Sequence, residues 1–353
     1  MIGPRFGSAI WEPARESPIE YRSVAAARGP GFVRSVGKLF ALIDGDLIYA
    51  SKPRPTSYGL GLLARRRRGR PLLLDIDDWE VGFYYQARGI RRLGRFLNVS
   101  DPDGLPWTWL MERLVRSADG VTVASRFLAG RFGGTLIPHV RDTDAWDPAR
   151  VDPAAARAKL GLTGRKTVMF LGTPRAYKGV DDLVEATGRL GGGVTLVLVG
   201  VNLGSAEARR WAALPYVRLV GKIPFDEIPV HLVAADVVAV PQRDTAATVG
   251  QVPAKLFDAM ALGRPIVTTS VSMIPEILDG AGVVVPPGDV TALAAGLRRL
   301  LDDPATAAAL GRRARERCVA EYSFSAARAR LFPLIDAAAA RGPRAPGSRA
   351  RRT

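Results

Sequence analysis

Short aliphatic and β-branched runs alternate along this chain with longer amphipathic stretches. In the first half the short runs are "DLIYA" (46–50), "PLLLDI" (71–76), "GVTVAS" (120–125) and "TLIP" (135–138). In the second they are "TVMFLG" (167–172), "VTLVLVG" (194–200), "VRLVG" (217–221), "DVVAVP" (236–241), "PIVTT" (265–269) and "GVVVP" (282–286). Continuous apolar runs of this length, bounded by Gly and Pro, predict strands buried on both faces. Stretches with helical spacing, such as "YGLGLLARRRR" and "WTWLMERLVRSA", lie between them. Strands alternating with helices predict an α/β fold with parallel sheets covered on both sides.

The alternation breaks once, at "HVRDTDAWDPARVDPAAARAKLGL", a polar, Pro-containing segment. It reads as an interdomain linker near residues 140–155. The expected division is 1–145, 146–322, a closing helix over 323–340, and a tail over 341–353. Two Rossmann-like halves facing across a cleft would take a ligand at the C-terminal ends of their strands. The opening "IGPRFG" reads as the end of a strand followed by a loop, so the first half looks truncated at its start. A domain that is simply shorter fits equally well.

At 353 residues there is room for two domains with proper cores. Lys+Arg 50 against Asp+Glu 34 leaves +16, a balance that favours anionic partners. Much of the charge lies in two places, "ARRRRGR" (64–70) and the tail "RGPRAPGSRARRT" (341–353). The tail lacks apolar periodicity and reads as disordered. The run Arg65–Arg68 has two readings: a helix end complemented by cations, or a patch for acidic lipid head groups. No nucleic-acid-binding motif accompanies the charge, which leaves a nucleic-acid partner as a minor alternative. Cys318 is the single cysteine, so an intramolecular disulfide and a Cys-rich zinc site are excluded. No apolar run is long enough to span a bilayer, and the first residues lack the core of a signal peptide. The expected location is the cytoplasm or the inner face of the plasma membrane, with peripheral contact only.

Three strand-end loops carry candidate chemistry. In "FLGTPRAYKGVDDLVEA" (170–186), Arg175 and Lys178 stand between a buried strand and a helix start. Side-chain cations, backbone N–H groups and the helix dipole there make an anion site. Arg suits forked contacts with phosphate oxygens, and Lys a point-charge contact. In "VGQVPAKLFDAMALGRPIVTT" (249–269) a helix begins near Pro253. The amides of Gly250, Gln251 and Val252 can point at an anion there. Lys255 and Asp258, at i and i+3, share one helix face. They form either a surface ion pair or a site in which Asp258 accepts hydrogen bonds from a diol. The third loop, "TTSVSMIPEILDGAGVVVPPGD" (268–289), carries Ser270 and Ser272 and reads otherwise as turn chemistry.

Taken in order, these segments resemble the C-terminal half of glycosyltransferase family 4, a GT-B family, closely over about 165–320. The first half resembles it more loosely, through "ADGVTVASRFL" and "LIPHVRDTDAWDP", where Arg141 stands in place of a usual Gly. The resemblance implies a nucleotide-sugar of UDP or GDP type in the C-terminal domain and an acceptor in the N-terminal one. It implies transfer with retention, no required metal and no cofactor, commonly onto lipid-linked acceptors in cell-envelope polysaccharide or glycolipid synthesis. Arg175 and Lys178 then match the pair that holds the donor diphosphate, and the segment at Lys222 and Ile223 the one that reads the base. Asp258 matches the second acid of a Glu-x7-Glu motif that takes the ribose hydroxyls. The first acid would fall at Gly250 and is absent, which shifts its work to the amides of Gly250, Gln251 and Val252, with Lys255 as a secondary contact. Many members carry a His after a central N-terminal strand. Here "LLLDIDDWE" stands in that place, and Asp77 and Asp78 are the candidates for a supporting role in the reaction. The alternative for these two is a solvated acid cluster or helix cap. A donor-binding GT-B protein without turnover is the alternative for the whole chain.

Overall fold

The computed structural model describes residues 1–7, 18–86, 94 and 98–342. The chain divides into two compact units, 1–138 with 328–353, and 139–327. The boundary therefore falls at Pro138/His139 rather than at 145/146, and the last helix, Phe324–Ala340, changes unit at Arg328. The expected linker belongs to the second unit: Arg141 N–H donates to Tyr322 O at 2.9 Å, and Trp146 is buried. Most of the basic tail lies outside the described residues.

The N-terminal unit holds a parallel pair, β1 (Ile2–Arg5) with β2 (Arg22–Ala25), and a four-stranded parallel sheet. That sheet runs β3 (Ile48–Ser51), β4 (Leu72–Ile76), β5 (Gly120–Val123), β6 (Thr135–Leu136). Leu72, Leu74 and Ile76 alternate onto one face and pack with Tyr58, Met111, Val115 and Leu128. Leu73 is equally buried on the other face, as a central parallel strand requires. Ile2–Arg5 forms a short strand.

The C-terminal unit is a six-stranded parallel sheet: β7 (Lys166–Leu171), β8 (Val194–Val199), β9 (Val217–Val220), β10 (Val237–Val240), β11 (Ile266–Thr269) and β12 (Val283–Val285). In space the order is β9-β8-β7-β10-β11-β12, the 3-2-1-4-5-6 order of a doubly wound sheet. β7 pairs with β8 from Lys166↔Val194 to Leu171↔Val199. Val168, Phe170, Leu196, Leu198, Val237 and Ala239 form one core with Leu183, Leu293 and Leu297 from two covering helices. Gly296 lets the helix Val290–Asp302 approach the sheet, since a Cβ there would stand 3.0 Å from Val283 Cγ1. Ser205 and Asp289 cap their helices by accepting from Ala208 and Ala292 N–H. All ten strands expected from the sequence are present, each within a residue or two of its predicted bounds.

Candidate donor site

A doubly wound sheet has one place where successive strands diverge to opposite sides. Here it lies between β7 and β10, and the loops that leave their C-terminal ends border a natural crevice. The loop after β7 opens at Gly172, whose φ of 118° lies in the left-handed half of backbone space. Arg175 follows, exposed, and then Lys178, whose Nζ donates to Thr173 O at 2.9 Å. Burial pushes the Lys178 ammonium below the ordinary lysine value, and neighbouring Arg175 pushes the same way. Gly179 (φ 63°) starts the next helix; a Cβ on it would overlap Pro241 O.

The loop after β10 is tied to this one. Arg243 N–H donates to Tyr177 O at 2.9 Å, and the Arg243 side chain forms a forked pair with Asp182, Nε to Oδ2 at 2.7 Å. Thr269 Oγ1 donates to Gln242 O at 2.5 Å from β11. Of the three amides expected to face an anion, that of Gln251 is engaged within the loop. Gln251 N–H donates to Thr248 O at 3.0 Å, and Val249 N–H to Thr245 O, because Thr245–Gln251 closes as a turn on itself. Gly250 and Val252 are buried beside that turn.

A cavity of about 920 Å³ sits beside the β7 loop. Thr173 to Ala176 line one side, Gly200 to Ser205 another, and Gly221 with Lys222 a third. Gly200 allows the close approach: a Cβ on it would stand 3.0 Å from the Gly172 carbonyl carbon. Arg175 and Lys222 therefore border one space, whereas Lys178 and Ile223 do not line it.

Asp258 and Lys255 lie in the helix Ala254–Ala261, and both are buried, so the surface-pair reading is wrong for them. Arg141 Nε donates to Asp258 Oδ1, and Arg141 also reaches Ala254 O at 3.2 Å. Burial pushes the Asp258 carboxyl up; Arg141 opposes this, with smaller help from His139 and Lys255. The acid expected to take a ribose is thus paired with the side chain at the unusual Arg position. Neither Asp258 nor Lys255 lines the cavity.

In the N-terminal unit, Asp77, Asp78 and Glu80 bring their oxygens within 4.8 Å of one another, the one such acidic group among the described residues. Lys52 Nζ stands 3.0, 3.3 and 2.8 Å from them, and Arg54 pairs with Glu80. Lys52 has φ 70°, a strained value for a non-Gly residue. Burial alone would lower its ammonium, but Asp77, Glu80 and Asp78 together hold it above the ordinary value. Both carboxylates are partly buried and gather around Lys52.

Residues 165–303 match the family described as Glycosyl transferases group 1. A GDP-mannose-dependent α-(1-6)-phosphatidylinositol monomannoside mannosyltransferase of Mycolicibacterium smegmatis is 30% identical over 306 residues, 78% of this chain and 72% of that protein. A D-inositol 3-phosphate glycosyltransferase of Kineococcus radiotolerans is 32% identical, over 85% of this chain and 77% of that one. The chain belongs to this glycosyltransferase family. Coverage of other members is lower: the chain spans 58% of a Mycobacterium tuberculosis glycogen synthase, at 30% identity. Among solved structures, sucrose-phosphate synthase of Thermosynechococcus elongatus aligns with TM-score 0.71 at 24% identity, over 91% of this chain and 86% of that one. Anabaena HepE, solved with UDP and glucose, aligns with TM-score 0.72 at 19% identity, over 94% and 90%. The fold is GT-B.

Within that family fold, three side chains that order the site escaped the sequence reading: Lys52, Arg243 and Asp182. None belongs to a spacing pattern, and the partners lie tens of residues apart in sequence. His231, by contrast, is buried and bonds Glu227 O through Nδ1 at 3.0 Å, a structural contact. The arginine run is split: Arg65 pairs with Asp119 and Arg68 with Ile43 O, leaving Arg66 and Arg67 exposed.

Proposed function

We propose that the chain transfers a sugar from a UDP- or GDP-sugar to an acceptor with retention of configuration, in glycolipid or cell-envelope polysaccharide synthesis. The observation that carries this is the switch point of the C-terminal sheet. Its β7 loop places Arg175 in the lining of a cavity that Gly221 and Lys222 border on another side, with Lys178 behind it, bonded to Thr173 O. Diphosphate at Arg175 and Lys178, with the base toward Gly221–Lys222, fits that layout. In retaining transfer the glycosidic bond to the diphosphate breaks through an oxocarbenium-like state while negative charge builds on the leaving group. Fixed cations there lower the barrier, because they need no reorganisation as the charge develops. Such charge compensation needs no metal ion, and none is included in the proposal. Asp77 and Asp78 supply negative potential in the N-terminal unit, tempered by Lys52.

Location at the cytoplasmic face of a membrane belongs to the same proposal; no described helix is long and apolar enough to cross one. A thermal-shift screen against UDP-, GDP-, ADP- and dTDP-sugars tests the donor class. Stabilisation by one base type, followed by release of that nucleoside diphosphate in the presence of a phosphoinositide or polyprenyl-linked acceptor, is the expected result. The absence of any shift would reject the donor site. A shift without release would favour a donor-binding protein without turnover, a reading that the tethering of Asp77 and Asp78 by Lys52 independently motivates.

A further inference from the structure

Lys255 is an odd residue to find inside a core. Its Nζ is shielded from solvent and has no hydrogen-bond partner. The ammonium lies over the Phe170 ring, 3.6 Å from the centroid, and 3.9 Å from where a Cβ on Gly172 would be. Phe170 and Gly172 are the last turn of β7 and the first residue of the phosphate loop, so the ammonium is tucked directly under that loop. The charged groups acting on it are Lys178 from the loop above and Asp258 from its own helix, whose carboxylate is already paired with Arg141. Arg175 acts in turn on Lys178. An isolated ammonium in such a place is strongly disfavoured unless it is paired or neutral. A cation–π contact recovers only part of that cost.

We infer that Lys255 is a third cation of the donor-phosphate site, one that is neutral in the empty protein and takes up a proton when a diphosphate settles against Lys178. The inference rests on the donor reading above. The geometry carries it, and the electrostatics point the same way. The buried nitrogen lacks an acceptor and sits beneath the loop where an anion is expected. Burial, with Lys178 second, holds the Lys255 ammonium well below its ordinary value, while Asp258 only partly offsets them. An arriving dianion reverses the local sign. It cancels the repulsion from Lys178 and offers Lys255 the partner it lacks, so the protonated form becomes the stable one. The balance is simple: the neutral amine gains one proton from solvent and becomes an ammonium, and no bond in the nucleotide changes. Binding should then weaken as pH rises through the pKa of the occupied state.

The test is isothermal titration of whichever of UDP, GDP, ADP or dTDP stabilises the full chain, near pH 8 and in two buffers of different ionisation enthalpy. At that pH a phosphate monoester, with its second pKa near about 6, is already ionised and contributes little. The wild type should take up a proton, approaching one per nucleotide. Lys255→Met should fold at least as well, bind about tenfold more weakly or worse, and lose the uptake. A wild type that binds without uptake overturns the inference and leaves the donor site standing. So does a Lys255→Met variant with unchanged affinity. A wild type that binds none of the four nucleotides overturns both.

Discussion

Lys52 in the N-terminal unit and Lys255 in the C-terminal unit are both lysines drawn away from water, and their surroundings push them in opposite directions. Around Lys52 stand Asp77, Asp78 and Glu80, and its ammonium is held above the ordinary value. Around Lys255 stand an aromatic ring and Lys178, and its ammonium is held well below that value. A charge already surrounded by its counter-charges is part of the scaffold. A buried nitrogen facing other cations has an unmet electrostatic demand that only an anion from outside can fulfil. The contrast separates a clamp from a binding site where residue type alone does not.

The sharpest way to break that picture is to disturb the frame on which the C-terminal cations stand. Gly179→Ala adds a Cβ that overlaps Pro241 O at a left-handed position. A loss of more than about 3 kcal/mol in urea unfolding is expected. Next, Glu80→Gln removes the carboxylate shared by Lys52 and Arg54 and should cost about 3 kcal/mol by the same measurement. If the N-terminal acids are instead a ligand site, that substitution will leave stability unchanged.

Lys255→Met should do the opposite and raise stability near neutral pH by about 2 kcal/mol. The sign follows from proton counting. Below 10.5 the unfolded chain carries a proton on Lys255 that the folded one lacks, so wild-type stability rises with pH up to that value and is lost toward the lowered folded pKa. Lys52 works the other way: its contribution is complete below 10.5 and fades only as pH climbs through its raised folded value. Stability–pH curves of Lys255→Met and Lys52→Met should therefore depart from the wild type with slopes of opposite sign. Lys178→Ala should leave folding intact and raise the nucleotide Kd tenfold or more, about 1.4 kcal/mol, while Asp78→Asn leaves that Kd alone. Equal losses of affinity in both would end the distinction between the units. The smallest effect belongs to Arg66→Ser with Arg67→Ser, within about 0.5 kcal/mol in stability because both are exposed. Sedimentation with phosphatidylserine vesicles would show whether these two arginines matter for membrane contact.

The sequence disclosed the buried parallel strands well, because their apolar runs are long and bounded by Gly or Pro. It also placed Arg175, Lys178 and Lys222 in strand-end loops, because the position of those loops follows from the strands. β2 went unread, since "RSVA" is too short for a period to emerge. The turn in which Thr248 O accepts from Gln251 N–H and its hydroxyl bonds Arg243 O has no signature in the sequence. Lys52 reaching Glu80 and Arg243 reaching Asp182 have no local signature, because each pairs residues brought together only by the sheet.

The Arg141–Asp258 pair has a consequence for how this chain can change. The resemblance to its family places Gly and Glu at these two positions, so the pair reads as a shortened acid whose missing reach is filled by an added guanidinium. Arg141→Gly alone strands a carboxylate that is 5% exposed. Asp258→Glu alone pushes an extra methylene into a space the guanidinium already occupies. Only the two changes together return to the family's arrangement. The position is therefore a small valley in sequence space: two single steps lead down, the double step leads across, and descendants of this chain remain on its side unless both sites change at once.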